Sequence, residues 1–207
     1  MKIYSNKYKL TPTLSQWRVS VSITTLIIIL SLLASNSPES NTIQWLAVVP
    51  ERIYTGELWR ILTGQFIHLS APHALLNALG YIIVSYCFRQ ELTPNRELTA
   101  YFGSMLGVSA GILWLNPEIA WYVGASGAIH GLLVFSLVLS ATKTPLVSFI
   151  FLLFISAKLF YENAFPENNA ITETLIGGHV IEESHLYGAI SGFLLACLYF
   201  INALRKN

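Results

Sequence analysis

In this chain of 207 residues 54% are hydrophobic and only 11% charged, whereas a soluble domain carries about 25% charged residues. The net charge of +1 gives no basic cluster for nucleic acid. No aspartate occurs anywhere, which excludes a Ser-His-Asp triad, an aspartyl dyad and Asp-based metal sites.

The length holds one membrane domain and leaves no room for a second of any size. Residues 1–18 are polar and carry Lys2, Lys7, Lys9 and Arg18; they are expected to form a cytoplasmic N-terminal segment. The membrane domain is expected over 19–203, with a short tail over 204–207. The first apolar run, 19–34, is just long enough to span. Read alone, it also has the pattern of a secretory signal: a basic start, an apolar middle and small residues at Ala34-Ser35. A long connection follows over 36–72, with Pro38, Pro50, Gly56, Gly64, Trp45 and Trp59. A connection of that length either has structure of its own or is functional.

The second helix is expected over 72–88, opened by Pro72 in its first turn. A charged loop over 89–97 leads to a third helix over 98–115. After a turn containing Pro117, the fourth helix covers 124–141 and the fifth 146–161. A polar loop, 162–183, holds Glu162, Glu167, Glu173, Glu182 and Glu183 and neither Lys nor Arg. The sixth helix covers 184–203. The reading is an all-α membrane protein, a bundle of six transmembrane helices. Cys87 and Cys197 both fall in apolar runs and read as small core residues rather than a disulfide.

Loop charges orient the bundle. With the N-terminus in the cytoplasm, Lys2, Lys7, Lys9, Arg18, Arg89, Arg96, Lys143, Arg205 and Lys206 fall inside. Only Arg52 and Arg60 fall outside, and Lys158 lies close enough to the outer end of the fifth helix to snorkel outward. This bias puts both termini in the cytoplasm.

In that orientation the second, fourth and sixth helices all begin at the outer face, and each begins with polar residues. The second offers His73 and Asn77, at i,i+4 and so on one face. The fourth offers Ser126 and His130 at the same spacing. The sixth offers His185. Intramembrane polar groups are costly and mark functional sites by default. Ser126 sits in the string Val123-Gly124-Ala125-Ser126-Gly127-Ala128-Ile129-His130-Gly131. Gly127 and Gly131 make a small-xxx-small ridge, which taken alone reads equally well as a packing motif with an incidental serine. The sixth helix carries Gly188, Gly192 and Ala196 on the face of His185. Two such faces pack closely, as a Ser-His hydrogen bond between helices requires. A histidine so placed can take the serine proton and return it to a leaving amine. His73 and Asn77 can donate to a developing oxyanion.

These residues resemble the rhomboid intramembrane serine proteases, and the likeness spans nearly the whole membrane domain. Trp59-Arg60 resembles the WR pair of the family's first loop. His68, His73 and Asn77 resemble its histidine-rich second-helix segment. Gly124-Ala125-Ser126-Gly127 matches the GxSG nucleophile motif, and His185 with Gly188 and Gly192 matches the last helix. The resemblance implies a serine endopeptidase with Ser126 as nucleophile and His185 as base. His73, Asn77 and the Ser126 backbone N–H would form the oxyanion hole, with Gly124, Gly127, His130 and Gly188 in support. No cofactor or metal is implied. Many rhomboids carry a tyrosine four residues after the serine, where this chain has His130. That departure and the short chain resemble the rhombosortase branch, which is associated with cutting C-terminal Gly-Gly sorting tails. The implied partners are single-span membrane-anchored substrates and the lipid bilayer, and the implied setting is a bacterial inner membrane with the site open to the periplasm.

Other readings remain beside these. His130 could be an alternative base, although a supporting role fits its i,i+4 spacing better. His68 reads as a structural loop residue, His179 as a solvated one, and Trp59 and Arg60 as braces of the first loop. A catalytically inactive rhomboid-like protein that binds transmembrane helices is the main alternative function. A transporter would show inverted repeats, and a zinc protease an HExxH motif; neither is evident. The bulky, aromatic fifth helix, with the loop above it, is the expected gate for substrate.

Overall fold

The computed structural model describes residues 14–33 and 41–205. The N-terminal lysines Lys2, Lys7 and Lys9, the end of the first run at Ala34-Ser35, and Lys206 lie outside the described residues. Six helices have fifteen or more residues: α1 (Leu14–Leu33), α5 (Ala71–Cys87), α6 (Pro94–Trp114), α7 (Ser126–Ser140), α8 (Pro145–Ala164) and α10 (Glu182–Leu204). Three short helices, α2 (Asn41–Leu46), α3 (Pro50–Tyr54) and α4 (Arg60–Thr63), fill the long connection. A further one, α9 (Ala170–Ile176), precedes α10. The fold is all-α. By length and composition α8 and α10 suffice to cross a bilayer, and α1, α5 and α7 contain shorter apolar helices.

α7 is the axis of the bundle. Ten of its residues, from Gly127 to Leu139, are buried, and α5, α6, α8 and α10 pack around it. Its 15 residues rise about 22 Å at 1.5 Å each, short of the roughly 30 Å of bilayer hydrocarbon. The tightest packing is between α7 and α10, and glycine makes it possible. A Cβ on Gly127 would stand 2.6 Å from the Ser184 carbonyl oxygen, and one on Gly131 2.6 Å from that of Gly188. A Cβ on Gly188 or Gly192 would run into the Gly127 or Gly131 carbonyl. The two backbones touch directly, as small-residue faces allow in membranes.

The starts of α5 and α6 follow capping chemistry rather than hydropathy. α5 begins where the Ser70 side chain accepts the His73 N–H, at 3.2 Å. α6 begins at Pro94, behind Thr93 as N-cap, four residues before the apolar pattern starts. Glu97 therefore belongs to the helix, not to a loop, and is buried at 1% exposure. Its Oε1 accepts from Ser20 at 2.9 Å, Tyr81 at 2.8 Å and Ser85 at 2.7 Å. A carboxylate out of water needs such donors, and these tie α1, α5 and α6 together. Ile23 and Ile27 add α1 to the core.

The structure corrects four further expectations. Residues 162–183 are no simple loop: α8 runs on to Ala164, a 3-10 turn covers Pro166–Asn169, and α9 follows. Cys87 is exposed and Cys197 half-buried, both as free thiols, so neither is a core residue. Ser126 opens α7 rather than lying two residues inside it. Lys158 does not snorkel outward; its ammonium turns inward onto Glu162 and His130.

Candidate active site

The segment leading into Ser126 is held from three sides. Val48 and Tyr122 exchange both backbone hydrogen bonds, at 2.9 and 3.0 Å. The Gly124 N–H donates to the Gly64 carbonyl at 3.0 Å, and the Tyr122 hydroxyl donates to the Gly124 carbonyl at 2.7 Å. Gly64 must be small, since a Cβ there would meet the Val48 nitrogen at 2.5 Å. The connection that carries these partners is itself braced. Arg60, buried, donates to the carbonyls of Gln44 and Ala47 and to Glu57. Trp59 donates to the Trp45 carbonyl.

His68 supplies the third hold. The Ala125 N–H donates to its Nε2 at 3.3 Å. Nδ1 therefore carries the ring proton and donates to Ser31 Oγ, 2.8 Å away. Burial, and then the neighbouring His73, hold this histidine well below its ordinary pKa, so it stays neutral. His68 thus links α1 to the residue before Ser126.

At the start of α7, Ser126 Oγ lies 2.9 Å from His185 Nε2 on the first turn of α10. Direct contact between the α7 and α10 backbones is what brings the two side chains within hydrogen-bond reach. The His130 ring stacks on that of His185, with centroids 4.3 Å apart and planes 22° from parallel. His130 Nδ1 lies 2.8 Å from the Ser126 carbonyl, to which it donates. Its Nε2 then accepts from Lys158 Nζ at 3.1 Å. Both His130 nitrogens are occupied in the resting structure. Lys158 also pairs with Glu162 at 2.7 Å, and Glu162 Oε2 lies 3.2 Å from His185 Nδ1.

His73 and Asn77 face the same space from α5. The Leu69 N–H donates to His73 Nδ1 at 3.4 Å, which leaves Nε2–H pointing toward Gly124. Gly124 has φ +117°, a region that suits only glycine. A Cβ there would also stand 3.0 Å from the His73 ring. Asn77 Nδ2 is buried and has no hydrogen-bond partner among the described residues. An unpaired buried donor is costly and is available to a ligand. Together these groups line a cavity of about 590 Å³, with Trp121, Ile176 and Val180 among its apolar walls. Among the described residues no group of three His, Cys or Glu side chains is placed to hold a metal ion. His179 is exposed and bonded to Glu173.

The predicted residues Ser126, His185, His73, Asn77 and His130 thus meet at one cavity, with Gly124, Gly127 and Gly188 where close approach demands glycine. Lys158 and Glu162 are site residues that the sequence reading missed. A signal was available: a Lys–Glu pair at i,i+4 whose lysine interrupts an apolar helix.

A profile of the Rhomboid domain matches residues 55–202. Over 146 residues the chain is 27% identical to YdcA of Bacillus subtilis, a protein assigned as a rhomboid protease, covering 70% of this chain and 69% of that one. It is 29% identical over 154 residues to RHOMBOID-like protein 1 of Arabidopsis thaliana, covering 72% of this chain and 36% of the relative. It is 32% identical over 90 residues to Rhomboid-like protease 2 of Toxoplasma gondii, covering 42% and 31%. The chain therefore spans more than two thirds of the Bacillus relative and about a third of the other two.

Proposed function

The chain belongs to the rhomboid family, and from that premise we propose that it is an intramembrane serine endopeptidase with Ser126 as nucleophile and His185 as base. The observation that carries the reading is the 2.9 Å contact between Ser126 Oγ and His185 Nε2 at the wall of a cavity. Ser126 Oγ attacks the scissile carbonyl as its proton passes to His185 Nε2. The carbonyl electrons move to oxygen. Three donors serve that oxyanion: His73 Nε2–H, Asn77 Nδ2 and the Ser126 N–H, which as the first amide of α7 has no partner within the helix. His185 then protonates the leaving amine. A water, deprotonated by the same nitrogen, hydrolyses the acyl-enzyme.

The substrate proposed is a single-span protein anchored by a C-terminal helix, cut beside that helix at a glycine pair, as in the rhombosortase branch. Peptide groups inside a stable helix are hydrogen-bonded and shielded, so the cut needs a segment that unwinds. Glycine, with its low helix propensity, provides it. The proposed setting is a bacterial inner membrane, crossed six times, with both termini cytoplasmic and the cavity on the periplasmic side.

The test is a tail-anchored reporter with a glycine pair just outside its helix, expressed with wild type, Ser126→Ala or His185→Ala. Wild type should release it, and neither variant should, although both insert and melt as wild type does. Release by either variant at the wild-type rate sinks the dyad. Replacing the glycine pair by leucines should suppress release. Undiminished release would end the sorting-tail reading and leave the protease standing.

A further inference from the structure

We propose that Glu162 is the third member of a Ser126–His185–Glu162 triad, accepting the Nδ1 proton of His185, and that Lys158 clamps it in place. The inference rests on the dyad reading above and adds to it a positioning residue on α8. Absence of aspartate rules out an Asp in this role but not a Glu.

Five contacts share five side chains and one carbonyl, and a single set of protons satisfies all five. The Ser126 carbonyl only accepts, so His130 Nδ1 donates and His130 Nε2 accepts. Lys158, which only donates, serves His130 Nε2 at 3.1 Å and Glu162 at 2.7 Å. Glu162 Oε2 accepts from His185 Nδ1 at 3.2 Å. His185 is thereby fixed in the Nδ1–H tautomer. Its Nε2 lone pair then faces Ser126 Oγ, 2.9 Å away. That is the one tautomer in which His185 can act as the base.

An i,i+4 Lys–Glu pair is ordinarily a surface feature of small energetic weight. This one is turned toward the site. The Glu162 side chain is 16% exposed and that of Lys158 33%, so the pair is half-buried, and both partners line the cavity. The groups facing His185 come from three elements: His73 from α5, His130 from α7, and Lys158 and Glu162 from α8. Among them Glu162 is the only one that can be anionic.

Proton balance follows. When Ser126 Oγ bonds to the carbonyl carbon, its proton moves to His185 Nε2 and the ring becomes an imidazolium. Glu162 keeps its negative charge opposite that cation and takes no proton. When the C–N bond breaks, the Nε2 proton leaves with the amine, and His185 returns to its starting tautomer. Lys158 balances Glu162 in the resting state.

Glu162→Gln keeps the shape and removes the charge. Loss of the anion from a triad costs up to about 10⁴-fold in kcat. With Lys158 and the His130 stack still in place, we expect about 10- to 10³-fold here. KM should be unchanged within about twofold, since the residue acts through His185. The rate constant for fluorophosphonate labelling of Ser126, measured on folded protein, should fall in parallel, and Glu162→Asp should recover part of it. A merely structural role would change the melting temperature and the folded fraction but not that rate constant. A Glu162→Gln kcat within twofold of wild type overturns the triad. The dyad is judged separately, by whether Ser126→Ala and wild type differ in the same assay. Should Glu162→Gln not fold, Lys158→Met serves instead: kcat should fall several-fold with KM constant, and an unchanged kcat overturns the proposal.

Discussion

His73 and Asn77 reach the cavity on successive turns of α5, and each brings a donor that no other described residue engages. That is the condition for stabilising charge that exists only in a transition state. Truncating one oxyanion donor costs about 10²- to 10³-fold in turnover where such sites have been dissected. His73→Ala and Asn77→Ala should each lower kcat within that range while KM moves little. Steady-state cleavage by the two single variants and the double variant is the measurement. Unchanged rates in all three would remove the oxyanion assignment. His68 bears on stability instead. Held neutral by burial, it refuses a proton that the unfolded chain accepts below pH about 6.5. Stability is therefore complete above that pH and is lost beneath it, by about 1.4 kcal/mol per pH unit for one proton, until the lowered folded value is reached. Melts in detergent between pH 7.5 and 5 should show at least that slope, and His68→Asn should reduce it by about one proton's worth. A variant as acid-sensitive as wild type would dismiss His68 as a source. At this scale the histidines and Ser126 were readable, because a polar side chain at the head of an apolar helix stands out without coordinates. Glu162 was not. Hydropathy closes a helix at the first carboxylate, and only the rotation of α8 about its axis decides that Glu162 meets His185.

The contact between α7 and α10 rests on missing side chains. Gly188 lies against the Gly127 carbonyl with no room for a Cβ, so Gly188→Val must push the helices apart. Overpacking costs about 1–3 kcal/mol in ordinary cores. Here the displacement also stretches the Ser126–His185 contact, so activity should vanish along with a lowered melting temperature. Gly80 on α5 is the control: a Cβ there would meet only Ile129, at 3.9 Å. Gly80→Ala should be neutral or stabilise by about 0.5–1 kcal/mol, because alanine has less chain entropy to lose in a helix interior. Wild-type turnover in Gly188→Val would show that this face is not what aligns the site. The long helices and the glycine faces were legible because bilayer length and 3.6-residue periodicity leave few alternatives. The short helices α2, α3, α4 and α9 were not. Segments of four to seven residues have no stability of their own, and they exist through tertiary bonds such as those of Arg60.

At the scale of the whole molecule, a central helix shorter than the bilayer is ringed by longer ones, so the head of α7 sits at the floor of a cavity. α10 is fastened to α7 along its backbone. α8 differs: only Ser148, Ile155 and Leu159 are buried, while Phe149, Phe151, Phe154 and Phe160 face outward. It is the long helix that the bundle can most easily let go. A substrate strand admitted beside it would displace Lys158 and Glu162 from His185, because both ride on that helix. Under the triad proposed above, this arrangement would be a safety interlock. With the door ajar, the base loses the partner that fixes its tautomer, and water reaching the serine finds it unarmed. Once the strand is seated and the helix swings home, catalytic competence returns, so the door's position rather than the serine's presence decides when a peptide bond is at risk.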